Sequence, residues 1–118
     1  MEAFKIKNGI SATRYLGSNG TVTTGVGTAS LDLSTGTTFS FTPSGATTVS
    51  FTNPPATGTA IGFSVEIIGD GSAITWPSSV KWHLATAPTA TATKELYTFV
   101  TTDGGTTYYG KKAAEGVS

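Results

Sequence analysis

Thr38-Phe39-Ser40-Phe41-Thr42 and Thr47-Thr48-Val49-Ser50-Phe51-Thr52 alternate apolar residues with hydroxyl-bearing ones. A two-residue period turns one side of an extended chain toward a core and the other toward solvent or a partner. Outward from these two runs, the same alternation predicts strands at 28–33, 37–42, 46–52, 60–69, 72–76, 79–83, 94–102 and 106–111. The separators are turn residues. Pro43-Ser44-Gly45 offers a fixed φ followed by a glycine, and Asn53-Pro54-Pro55 ends a strand because proline cannot donate to the ladder. Gly69-Asp70-Gly71 and Asp103-Gly104-Gly105 read as hairpin turns. No window carries a 3.6-residue period, so the expected fold is all-β: a single, jelly-roll-like β-sandwich with an extended N-terminal arm. Its expected core is Leu31, Leu33, Phe39, Phe41, Val49, Phe51, Ile61, Phe63, Val65 and Ile67, continued by Ile74, Trp76, Val80, Trp82, Tyr97 and Phe99.

Composition divides the chain into an arm at 1–16, a Gly/Ser/Thr-rich connector at 17–27 and a sandwich domain at 28–118, whose last residues from 110 on read as a polar tail. The arm holds Phe4, Ile6, Ile10, Tyr15 and Leu16 as apolar anchors, with Lys5, Lys7 and Arg14 between them. Ordering such a segment costs about 1–2 kcal/mol per residue in backbone entropy. Burying an anchor completely returns about 1.5–3 kcal/mol, so the arm needs a receiving surface. That surface is either its own sandwich, as an extra strand, or another chain.

The 118 residues (12.0 kDa) suffice for one domain. There is no cysteine, which excludes disulfides, zinc–thiolate and iron–sulfur sites and a thiol nucleophile. Formal net charge is zero and only 12% of residues are charged, which argues against a general nucleic-acid binder and leaves little repulsion against self-association. No run approaches the ~18 apolar residues of a membrane span. The start, Met1-Glu2-Ala3-Phe4-Lys5-Ile6-Lys7, has an acid and two lysines where a signal peptide needs an apolar stretch.

Chemistry-bearing patterns are sparse. His83 is the only histidine, and its neighbours are Trp82 and Leu84. The carboxylates Asp32, Glu66, Asp70, Glu95 and Asp103 are scattered, and Asp70 and Asp103 each precede a glycine, as turn residues do. No phosphate loop, nucleophile elbow or calcium loop is present, so the expectation is a non-enzyme without cofactor or metal. Trp76-Pro77-Ser78-Ser79-Val80-Lys81-Trp82 has the most binding potential. Either both tryptophans cap the core at a corner, or Trp76, Trp82 and His83 form a ligand corner on which sugar rings stack.

Several stretches together resemble virion structural proteins of tailed phages, notably phages of cyanobacteria. They are Phe4-Lys5-Ile6-Lys7-Asn8-Gly9-Ile10 with Arg14-Tyr15-Leu16, Leu31-Asp32-Leu33-Ser34-Thr35-Gly36, Val49-Ser50-Phe51-Thr52-Asn53-Pro54-Pro55, Ile74-Thr75-Trp76-Pro77-Ser78-Ser79-Val80-Lys81-Trp82, and Tyr97-Thr98-Phe99-Val100-Thr101-Thr102-Asp103-Gly104-Gly105. Members often carry proline after the second tryptophan, where this chain has His83. The resemblance implies a particle component, either a capsid decoration (cement) protein or a tail-fibre module that binds host glycans. A fibre needs a shaft and a receptor-binding head, so a sandwich with an adhesive arm is expected to be the former. In that reading the chain is located in the virion as a homotrimer on the major capsid protein or other virion subunits. Phe4, Lys5, Ile6, Lys7, Ile10, Arg14, Tyr15 and Leu16 then form the interface, and neither nucleic acid nor membrane is a partner.

Overall fold

A computed structural model describes residues 19–117. In chain order the strands are β1 (Thr21–Gly25), β2 (Thr28–Asp32), β3 (Thr38–Phe41), β4 (Thr47–Thr52), β5 (Ile61–Ile68), β6 (Ile74–Thr75), β7 (Val80–Trp82), β8 (Lys94–Thr101) and β9 (Tyr108–Val117), with a 3-10 turn at His83–Ala85. They form two sheets, ordered β1-β2-β4-β6 and β3-β5-β8-β9-β7, packed face to face. The sandwich expected from the alternation is therefore present. The arm expected at residues 1–16 lies outside the described residues.

Connections depart from a succession of hairpins. From β2 to β7 the chain changes sheet at every step, so β4 lies parallel to β2, β5 parallel to β3 and β6 parallel to β4. The mixed order differs from the antiparallel Greek keys of a full jelly roll. Gly69-Asp70-Gly71 consequently does not close a hairpin, because β5 and β6 belong to opposite sheets. Gly69 N and Gly71 N donate to the carbonyls of Thr93 and Thr91, and that pairing draws the chain along the segment before β8 and away from β5's own edge. Asp103-Gly104-Gly105 does join antiparallel strands, β8 and β9. There the Asp103 carboxylate accepts from Thr107 N at 2.9 Å and from the Thr101 hydroxyl at 3.1 Å.

Two stretches read from composition as unstructured are strands. Thr21–Gly25 lies inside the supposed connector, yet it pairs antiparallel with β2 through a two-residue turn at Val26-Gly27. Val22 is its only apolar residue apart from glycine, so the alternation had nothing to mark it. Gly20 N donates to Thr38 O at 2.7 Å, tying this edge to the second sheet. A side chain at Gly20 would collide with the Phe39 ring. At the other end, the polar tail extends β9 to Val117, held by β8.

Leu31, Phe39, Val49, Val65, Ile67, Tyr97 and Phe99 are fully buried, and Phe51, Ile61, Ile74, Trp76 and Trp82 pack half-buried against them. Phe51 of the first sheet meets three rings of the second: its centroid lies 5.0 Å from Phe63, 5.2 Å from Phe99 and 4.8 Å from Tyr108. Gly110 of β9 lies beneath Phe99 and Val80, where an added Cβ would come within 2.7 Å of the Phe99 ring. Phe99→Ala is expected to cost about 3–5 kcal/mol in urea unfolding, the usual range for emptying a core aromatic site.

Candidate functional site

Trp76 and Trp82 come together. Trp76 follows β6 and Trp82 ends β7, and their ring centroids are 5.6 Å apart in an edge-to-face arrangement. Trp76 also lies 4.8 Å from Tyr97 and 5.2 Å from Phe99, while Trp82 lies 5.6 Å from Phe99. Both are half-buried and packed on the core, so they close one end of the sandwich. His83 is exposed beside them. In the turn that it opens, Leu84 and Ala85 both take left-handed φ values, 57° and 58°. For residues other than glycine this costs on the order of 1–3 kcal/mol each. Pro77 lies between them, with Trp76 just after β6 of one sheet and Trp82 ending β7 of the other, so sequence parity carries no information about their contact.

A groove of about 510 Å³ opens on the outer face of the five-stranded sheet, where β7, β9 and β8 run side by side. Register builds it. Lys81 of β7 stands opposite Tyr109 of β9, which stands opposite Val100 of β8, and Lys111 stands opposite Thr98 one outward step along. Tyr109 is 60% exposed and Val100 44% exposed. Trp82 and His83 complete one end, whereas Trp76 does not line the groove. No carboxylate lines it, and neither Lys81 nor Lys111 has an ion-pair partner among the described residues. Sequence reading missed this group. The available signal was parity, since Tyr109 and Lys111 alternate with Tyr108 and Gly110, whose positions face inward.

The buried titratable groups serve structure instead. Glu95 is 1% exposed. Its Oε2 accepts from Lys112 Nζ at 2.5 Å and from Thr91 N at 3.1 Å, and its Oε1 accepts from the Tyr97 hydroxyl at 3.2 Å. Lys112 also donates to Thr89 O at 2.6 Å and reaches Glu115 at 3.3 Å. The cluster thus fastens the segment before β8 to the sheet, and Glu95 shares inward parity with Tyr97 and Phe99. Burial and the facing Glu95 carboxylate raise the Tyr97 hydroxyl well above its ordinary range, and burial also raises Tyr108. Hydrogen bonds from Ser34 and Asn53 lower Asp32, and hydrogen bonds from Ser72 and Thr107 lower Asp70 and Asp103 respectively. These three carboxylates hold turns. Among the described residues no three histidine, aspartate or glutamate side chains gather into a metal site, and no helix is long and apolar enough to cross a membrane.

No known protein family, curated protein or solved structure matches this chain.

Lys112→Met is expected to cost about 3–5 kcal/mol by leaving Glu95 buried without its cation, and the double variant Glu95→Leu/Lys112→Met should be closer to the parent in chemical denaturation. Raised tyrosines also set an alkaline limit. Above pH ~10 the unfolded chain loses phenolic protons that the folded chain keeps, so stability falls as pH rises further. Thermal melts from neutral pH upward should show this loss, with a shallower slope in Tyr97→Phe.

Proposed function

We propose that this chain is a structural protein of a tailed-phage particle, most simply a capsid decoration protein that acts by non-covalent adhesion. The observation that carries the reading is how the molecule divides its side chains. Shifted or buried charges hold turns and joints, at Asp32, Asp70, Asp103 and the Glu95–Lys112 pair. Large apolar groups meanwhile stand exposed at Val26, Ile68, Leu84, Val100, Tyr109 and Val117. Val100 and Tyr109 are cross-strand neighbours among these, and such a joined apolar face suits contact.

The resemblance to phage virion proteins supports the same reading, because its motifs occupy positions that maintain shape. The Asn53-Pro54-Pro55 loop packs against the Gly104-Gly105 turn, and Trp76 seats on Tyr97 and Phe99. In this proposal the chain is a homotrimer, and Phe4, Ile6, Ile10, Tyr15 and Leu16, with Lys5, Lys7 and Arg14, grip neighbouring protomers or the major capsid protein. Binding only the assembled shell would stabilise it by mass action.

A second reading, a tail module that binds host-surface glycans, is favoured by the open groove bordered by Trp82, His83 and Tyr109.

An epitope label on the chain should be found on the capsid of intact particles by electron microscopy. Ile6→Asp/Ile10→Asp should lower its copy number per particle at least about tenfold, the equivalent of ~1.4 kcal/mol. Normal occupancy would overturn the arm's role, and a label on the tail or absent from particles would overturn the capsid assignment.

A further inference from the structure

We propose that the groove over β7, β9 and β8 binds a carboxylated saccharide, with Tyr109 as stacking platform and Lys81 and Lys111 as the carboxylate's partners. The inference rests on the carbohydrate-binding reading and adds the charge of the ligand and the residues that hold it. It does not depend on where in a particle the chain sits.

Neighbouring strands lie about 4.8 Å apart, and same-face residues on one strand about 6.8 Å apart. Tyr109 therefore stands beside Lys81 across the strand gap and one outward step from Lys111. One exposed ring thus has a lysine opposite it on the neighbouring strand and another one outward step along its own strand. Tyrosine presents an apolar face with a polar tip, which suits the C–H face of a pyranose. Val100 extends the apolar floor, and Gly62, opposite it on β5, leaves its far flank without a side chain. Thr98, opposite Lys111, offers a hydroxyl that can donate or accept.

Charge selects the ligand class. The groove contains lysines without a lining carboxylate, so a neutral ligand would leave its field unused. A nucleic acid is disfavoured for a different reason. The seven Lys and Arg residues of the chain are matched by seven Asp and Glu, and Lys112 is already paired. A polyphosphate would meet two groove lysines on a chain of zero formal net charge, far from the basic field that such ligands need. An acidic peptide would gain most from strand edges, but β8 and β9 are each paired on both sides and the free edge here is the three-residue β7, so the groove floor offers side chains alone. A ring bearing a single carboxylate uses the platform, the hydroxyl and the cations together.

The test is an array of matched uronate and neutral oligosaccharides, probed with the full chain and followed by NMR titration of the best binder. Carboxylated members should be retained above their neutral matches, shift the amides of Lys81, Val100, Tyr109 and Lys111, and weaken as salt is added. Tyr109→Ala should weaken binding about tenfold, and Lys81→Ala and Lys111→Ala several-fold each, with thermal melts unchanged because all three side chains lie outside the core. Equal or better retention of the neutral matches would overturn the charge assignment while leaving carbohydrate binding intact. Retention of no saccharide would overturn both. Tighter binding of a poly-glutamate peptide or of inorganic phosphate at the same residues would reassign the groove to peptides or to simple anions.

Discussion

The packing of aromatic rings across the gap between the two sheets is the interaction on which the rest of the molecule depends. Phe51 projects from the first sheet among Phe63, Phe99 and Tyr108 of the second, and Phe63 stacks on Phe99 at 5.2 Å. Trp76, after the short β6, reaches Tyr97 and Phe99. The chain changes sheet at each step from β2 to β7, so few neighbouring strands there are joined by a tight turn. The parallel pairs β2–β4, β3–β5 and β4–β6 form only after the chain has crossed to the other sheet and returned. The loop entropy of that route is offset by contacts between sheets, and the aromatic rings bring large surfaces to those contacts.

Polar groups complete what the rings leave open. Glu95 is buried deeply enough that an unpaired carboxylate there would be strongly unfavourable, and Lys112, Thr91 and Tyr97 meet both of its oxygens. That cluster orders a Thr- and Ala-rich segment with no apolar anchor of its own. The aspartates act at turns in the same local manner. Lys81 and Lys111 face outward on the same sheet surface, beside an exposed tyrosine. The groove and the core are therefore two sides of one sheet. Inward parity on β9 builds the interior with Tyr108 and Gly110, and outward parity places Tyr109 and Lys111 where a partner can reach them.

Alternation of apolar and hydroxyl residues determined the β class, most of the strands and nearly all of the core, from Leu31 to Phe99, because a period of two is a local property of the backbone. Local chemistry likewise determined the Asp103-Gly104-Gly105 hairpin. Which strands pair was decided only in three dimensions. Gly69-Asp70-Gly71 has the composition of a hairpin turn, but the carbonyls that bind its amides belong to Thr91 and Thr93, far along the chain. Thr21–Gly25 became a strand because β2 offered it a partner, and its own residues carry almost no pattern. The contact of Trp76 with Trp82 and the gathering of Lys81, Val100, Tyr109 and Lys111 into one groove depend on strand order and register. Both are set by packing between distant segments, and no local periodicity encodes them.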